Sequence, residues 1–267
     1  SKSMGFTLLL IQGLIVIRKN AQKKKNARVF VYNHTSFDDV LVQCLAMTGS
    51  GVAKHQLAEW WPFRNLLQIS RTIMVRRDGE VSASVKGMVH DNVTSQMLNH
   101  LQNSKDPLVL CPEGTVPAPG YVMRFKSSAF RLGAPVTPVS VRYKTVLPLQ
   151  WTTHHWAVAV FNHLANPFGI VEINYLDPQK MQNEETPQEF ADRVGQLIAK
   201  DLDYLYVPYQ SQDWVYFGCG FAKDRITEDY KKDFGWMGTV DEFCASNGIK
   251  GKIWGLKQKD VEGAHPK

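Results

Sequence analysis

The sequence predicts an α/β protein, a single sheet flanked by helices with its active site at the strand ends. Two observations carry that expectation. Short apolar runs rich in β-branched residues alternate with longer stretches of helical periodicity. Three of those runs also end in a polar turn, at residues 33–39, 76–78 and 112–115. In open α/β sheets, ligands bind at the strand ends.

The bulk properties agree with a folded domain. Of 267 residues, 44% are hydrophobic and 21% charged, which excludes disorder over the whole chain. A net charge of +6 and a pI of about 9.0 suggest an anionic partner. Nucleic acid, a phospholipid surface and phosphorylated small molecules all fit that charge. Nucleic acid has no support beyond it, so none is expected. Cys44, Cys111, Cys219 and Cys244 are widely spread, with no metal-ligand spacing. Cys44 and Cys111 read as buried thiols in a reducing, cytosol-facing compartment. His154 and His155 lack a third ligand, so no metal is expected.

Residues 4–17 (MGFTLLLIQGLIVI) are apolar but too short for a bilayer span of about 20 residues. The first half reads as the end of a longer anchor or as an interfacial helix, and residues 14–17 as a strand. Arg18, Lys19, Lys23, Lys24, Lys25 and Arg28 follow. They suit either the cytoplasmic side of a membrane or a solvated basic hairpin. No signal peptide is evident.

Residues 27–32 (ARVFVY) form the next strand, and 40–47 the helix after it. Between them lie Asn33, His34, Thr35, Ser36, Phe37, Asp38 and Asp39. A histidine here can act as a general base near neutral pH, and a carboxylate five positions on can orient it from the first helical turn. The plainer alternative is a loop histidine beside an aspartate N-cap, Asp38 or Asp39.

A strand at 51–54 and a helix at 55–67 carrying Trp60, Trp61 and Phe63 come next. Residues 72–78 read as a strand ending in Arg76 and Arg77. An arginine at a strand end suits a bidentate phosphate contact or a salt bridge to Asp78 or Glu80. Val85, Met88, Val89, Val93, Met97, Leu98 and Leu101 give residues 81–102 helical periodicity. Residues 107–111 are a buried strand that ends in Pro112, Glu113, Gly114 and Thr115. Glu113 suits hydroxyl binding or loop holding, and Gly114 permits positive φ. Residues 121–130 carry Arg124 and Lys126. The strand at 135–143 is too apolar at its start for an edge. Residues 151–168 are aromatic-rich and fit a core helix or one lying on a membrane. A strand at 169–176 follows. Thr186, Pro187 and Glu189 mark a helix start by N-cap, N1 and N3 preferences, and that helix runs to about Leu202. After Tyr204 the composition shifts and no motif is legible.

Together the polar turns resemble the glycerolipid acyltransferase family of the lysophosphatidate acyltransferase type. The motifs are Asn33-His34 with Asp39, an apolar strand ending in Arg77, Pro112-Glu113-Gly114-Thr115 with Phe125-Lys126 beyond it, and Val136-Thr137-Pro138-Val139. The resemblance covers roughly residues 14–202. It is nearest to the lysophosphatidylcholine and glycerol-3-phosphate acyltransferase branches, which also lack arginine where this chain has Val116. The helix at 190–202 also resembles the ancient ubiquitous protein, a lipid-droplet member. Two departures stand out: Arg71 and Thr72 replace the glycines that often precede the second motif, and Cys111 replaces an aromatic.

The resemblance implies a single mixed sheet with flanking helices and transfer of a fatty acyl group from acyl-CoA to a glycerol phosphate or lysophospholipid hydroxyl. His34 would be the base and Asp39 its orienting partner, with backbone N–H groups near Glu113 or at a helix N-terminus holding the oxyanion. Asn33, Arg77, Glu113, Gly114, Thr115 and Lys126 would bind substrate. No cofactor or metal is required beyond acyl-CoA as co-substrate. A membrane surface is implied as partner, with an endoplasmic reticulum or lipid-droplet location. The expected layout is a membrane-proximal segment at 1–26, the acyltransferase domain at 27–204 and an extension at 205–267. The competing expectation is an adaptor that keeps the fold for lipid-surface binding.

Overall fold

The structure is a computed structural model that describes residues 13–36, 38–43, 48–54, 64, 67, 72–75, 93–117, 119–147, 149 and 156–208. Seven strands form the main sheet: β1 (Leu14–Lys19), β2 (Val29–Tyr32), β3 (Ser50–Lys54), β4 (Ile73–Val75), β5 (Leu108–Leu110), β7 (Val136–Thr145) and β8 (Gly169–Tyr175). Their order is β1-β8-β7-β2-β5-β3-β4. All neighbours are parallel except β7 and β8, so the sheet is mixed, as expected. A separate parallel pair joins β6 (Tyr121–Met123) to β9 (Leu205–Val207). The described helices are α1 (Asp39–Val42), α2 (Val93–Asn103), α3 (Trp156–Ala165) and α4 (Pro187–Leu202).

β2 is central, and all four of its residues are buried. Strands covered on both faces read as continuous apolar runs, which is why residues 27–32 show no alternation. Val29 and Val31 join Leu108, Leu110 and Val136 in a core covered by Met97 of α2, by Phe130, and by Phe190, Val194 and Ile198 of α4. Phe30 and Tyr32 face the other way, with Val139, Val141, Val171, Ile173, Tyr175 and Val42. β7 lies third in the sheet, inside it, as its apolar start predicts.

The start of α4 follows its sequence signals. Thr186 accepts from the Glu189 N–H at 3.2 Å, and Glu189 Oε2 accepts from the Thr186 N–H at 2.7 Å, a complete capping box. Removing one cap hydroxyl typically costs about 1 kcal/mol. Thr186→Ala should therefore lower the unfolding free energy by about that amount, read as a lower urea midpoint at an unchanged m value.

Both ends of the described domain are tied in by strand pairing. β1 is bonded to β8 along its whole length, so residues 14–19 are part of the sheet. At the other end the chain stays on the domain through β9, past Tyr204.

The direction of β1 also separates two features that look adjacent in sequence. β1 is parallel to β8 and hence antiparallel to β2, so it starts at the sheet edge where β2 ends. The basic run after it lies at the opposite edge, about 17 Å away for six strand residues. Much of that run is engaged within the fold. Lys19 pairs with Glu172 at 3.5 Å and Lys23 with Asp177 at 2.9 Å. Arg28 donates to the Leu101, Ser104 and Lys105 carbonyls at the end of α2. The run connects β1 to β2, which are separated in the sheet by β8 and β7, so it is a crossing connection and not a β-hairpin.

Residues 55–63, the arginine turn at 76–78, residues 81–92, His154–His155 and everything after residue 208 lie outside the described residues. So do Cys44, Cys219 and Cys244.

Candidate active site

The site is built where β2 and β5 end. The connection leaving β2 leads toward β3 on one side of it, and the chain after β5 crosses to β7 on the other. Strand ends where the connections reverse direction are the usual ligand position in such sheets.

His34 follows β2 directly. Its Nδ1 lies 2.6 Å from Asp39 Oδ2. The same oxygen accepts the N–H groups of Thr35 at 2.7 Å and Ser36 at 3.2 Å, and Asp39 Oδ1 accepts the Tyr143 hydroxyl at 2.8 Å. Four donors thus converge on a carboxylate that is 1% exposed. Such a carboxylate is an acceptor, so Nδ1 is the donor in this bond, and in the neutral ring the lone pair sits on Nε2. The ring is partly open to solvent, as a base meeting a substrate must be.

Asn33 and Glu113 hold this turn in place. The Asn33 side chain donates to the Val141 carbonyl at 2.9 Å and accepts from the Val141 N–H at 2.8 Å. It continues the β2–β7 ladder with an amide side chain where β2 has stopped. Glu113 accepts the His34 N–H at 2.9 Å on one oxygen and the Met123 N–H at 3.3 Å on the other. It is fully buried, and burial pushes its carboxyl pKa well up while the two N–H groups pull it back. Of the two roles open to Glu113, this geometry is loop holding.

Gly114 has φ +70°, which turns the chain sharply after Glu113, and its N–H closes on the Cys111 carbonyl at 3.2 Å. Thr115 follows, half-buried. Lys126 is tied to the same turn through its N–H, 3.0 Å from the Pro112 carbonyl. The N–H groups of Thr35, Ser36, Asp39 and Gly114 are all engaged internally, so none of these four is a ready oxyanion donor. Arg77 lies outside the described residues.

Three more side chains bear on this turn, of which Tyr143 and His163 escaped the sequence reading. Tyr143 reaches Asp39 because β7 outruns β2: Tyr32 pairs with Val139, and β7 continues six residues further along the turn. Its hydroxyl ends the Val139, Val141, Tyr143 alternation, a period-2 signal that was available. Burial and the nearby Asp39 push the Tyr143 pKa well up. Cys111, whose thiol donates to the Tyr32 carbonyl at 3.4 Å, is likewise pushed well up by burial, which makes it an inert thiol. The third is His163, whose Nδ1 lies 3.1 Å from Asp38 Oδ2. Among the described residues no group of side chains could hold a metal ion.

Comparison with known proteins converges on these strands. The acyltransferase family model matches residues 14–142, which span β1 through most of β7 and include every residue expected in the site. Glycerol-3-phosphate acyltransferase 4 of Bos taurus is 28% identical over 229 residues, covering 84% of this chain and 47% of its own. Glycerol-3-phosphate acyltransferase 3 of Xenopus laevis is 25% identical, covering 84% of this chain and 49% of its own. The chain thus spans about half the length of the curated relatives it matches. The crystal structure of the 1-acyl-sn-glycerophosphate acyltransferase PlsC from Thermotoga maritima shares the fold, with a TM-score of 0.51, 19% identity and coverage of 77% of this chain and 79% of that one. The family match, the relatives and the shared fold fall on the same strands as the motifs and together support a glycerolipid acyltransferase family for this chain.

Proposed function

We propose that the protein is an acyl-CoA-dependent O-acyltransferase that acylates a glycerol phosphate or lysophospholipid hydroxyl in glycerophospholipid synthesis or remodelling. The observation that carries this reading is the 2.6 Å bond between His34 Nδ1 and a buried Asp39, in a chain of this family. His34 Nε2 takes the proton of the acceptor hydroxyl as its oxygen attacks the thioester carbonyl. Asp39 stabilises the imidazolium so formed. The tetrahedral intermediate then collapses, the C–S bond breaks, and the imidazolium returns the proton to the departing thiolate. Asn33, Glu113 and Tyr143 keep the turn in register. An adaptor would need no such bonded pair. Purified protein incubated with labelled acyl-CoA and a panel of glycerol phosphate and lysophospholipid acceptors tests the reading. A labelled diester or acylated glycerol phosphate supports it, and no transfer to any acceptor overturns it.

Arg77 is the proposed phosphate ligand, since its fork suits a bidentate contact. A lost charge-assisted bond is worth roughly 1.5–3 kcal/mol, so Arg77→Ala should raise KM for the phosphorylated acceptor about ten- to a hundred-fold. KM for acyl-CoA should change little, and Arg77→Lys should recover only part of the loss. A selective rise for acyl-CoA would contradict this role.

The lipid substrates imply a membrane surface, on the cytosolic face of the endoplasmic reticulum or a lipid droplet. Among the described residues no helix is long and apolar enough to cross a bilayer. The start of β1, the end of β7 and the start of β8 share the His34 edge of the sheet, and Ile15, Val146, Phe161, Leu164 and Phe168 are exposed there. Contact through that edge is apolar. Vesicle flotation should therefore persist at raised salt, and Phe161→Ser with Leu164→Ser should weaken it at least about ten-fold. Binding that needs anionic lipid and vanishes with salt would instead favour the basic run at 18–28 as the contact.

A further inference from the structure

Asp38 is 4% exposed, yet it does not cap α1. An aspartate at an N-cap normally accepts an N–H of the first turn. Here Asp38 has φ −69° and ψ −10° and makes no cap bond. Its Oδ2 meets the Ser36 hydroxyl at 3.3 Å and His163 Nδ1 at 3.1 Å. Ser36 in turn accepts the Asp38 N–H at 3.3 Å and donates its own N–H to Asp39 Oδ2 at 3.2 Å. A continuous bonded path therefore runs from His163 through Asp38, Ser36 and Asp39 to His34.

His163 is well anchored for that task. It lies near the end of α3, which is locked by Asn166. The Asn166 amide donates to the Leu147 carbonyl at 3.1 Å and the Asn162 carbonyl at 2.7 Å, and accepts the Leu147 N–H at 2.8 Å. The end of α3 is thus pinned to the exit of β7, and its side chains hold a fixed position relative to the turn.

We propose that His163 is a positioning residue for the acyl-transfer site: its imidazolium neutralises the buried Asp38 and so fixes the turn that carries His34 and Asp39. Burying a carboxylate without a cation is costly, and removing one member of such a pair leaves the other uncompensated. The turn would then move to hydrate Asp38, and Ser36 and Asp39 would move with it. The bond to Asp38 raises the pKa of His163 above its ordinary 6.5, so the charged pair persists to higher pH than a free imidazole allows and is lost as pH rises through that raised value. Asp38 is the ionisable group that shifts His163. Asp39 and His34 lie two and three bonded steps beyond Asp38, and Tyr143 and Cys111 titrate too high to give a limb in the same range.

The kinetic half of this inference rests on the acyl-transfer reading, and the structural half does not. The test uses the full chain and the variants His163→Gln, Asp38→Asn and both together, each checked for an intact melt. Two readouts are followed: the downfield proton resonance of the His34–Asp39 hydrogen bond, and kcat and KM. A misplacement of about 1 Å in a catalytic group can cost as much as a hundred-fold, so His163→Gln should lower kcat about ten-fold with KM for acyl-CoA little changed, and should shift or broaden the downfield proton. Adding Asp38→Asn removes the buried charge, so the double variant should regain the resonance and most of kcat. It should also lose the alkaline limb of the wild-type pH profile. A folded His163→Gln with wild-type resonance and kcat overturns the proposal, as does a double variant no better than the single one. If wild-type protein transfers no acyl group, the acyl-transfer reading fails, and the resonance alone decides the role of His163.

Discussion

His34→Ala should lower kcat/KM for acyl transfer by about 10²–10⁴-fold, the usual loss when a general base is removed. The fold should survive the change. The bond from residue 34 to Glu113 comes from the backbone N–H, which alanine keeps. Asp39 retains the Thr35, Ser36 and Tyr143 donors, so no buried charge is left bare. The ring is partly exposed, so its removal opens no core cavity. The loss should fall on kcat, with acceptor KM nearly unchanged. A folded variant with wild-type kcat would remove His34 from the chemistry.

Asp39→Asn should cost a similar factor, about 10²–10⁴, by a different route. Asp39 Oδ2 takes three donors, so the asparagine carbonyl would have to face the turn for the turn to stay closed. The amide NH₂ would then face Tyr143, whose hydroxyl can rotate to accept it. In that arrangement the imidazolium formed during reaction has lost its counter-charge. If the amide faces the turn instead, it opposes the Thr35 and Ser36 N–H groups and drives His34 to the tautomer with its proton on Nε2, which cannot act as base. Either way kcat falls, and stability falls by about 1–3 kcal/mol for the poorly matched donors. Tyr143→Phe provides the contrast. It removes one donor from Asp39 but leaves the His34 pair, so the loss should be no more than about ten-fold. A larger loss in Tyr143→Phe than in Asp39→Asn would contradict the assigned roles.

The parts of this site that were legible in the sequence are those fixed by local chain geometry. The run at 27–32 ends where the polar turn begins, and His34 and Asp39 are close enough in sequence for the turn itself to join them. Thr186, Pro187 and Glu189 were readable for the same reason, since a capping box is complete within four residues. What stayed hidden depends on register and topology. Tyr143 reaches Asp39 only because β7 pairs with β2 at Tyr32–Val139 and then continues past it. The same register puts the Asn33 amide on Val141, a contact that no local pattern reveals. The basic run looked adjacent to the apolar start, and the direction of β1 carries it to the far edge of the sheet. His163 is 125 positions from Asp38, and no sequence period links a helix end to a turn across that separation. The β6–β9 pair joins two three-residue strands, too short to carry a pattern of their own.

The most direct test of the dyad is a rapid-quench experiment with acyl-labelled acyl-CoA, followed by mass measurement of the intact protein and of the lipid product. Base-assisted attack by the acceptor requires label to move straight from the thioester to the acceptor hydroxyl, one thiol released per lipid formed, with no labelled protein at any time. Wild-type protein should give that result, and His34→Ala should give neither lipid nor released thiol above background. A covalently acylated protein that forms without acceptor and discharges when acceptor is added would contradict the direct mechanism and the role given to His34.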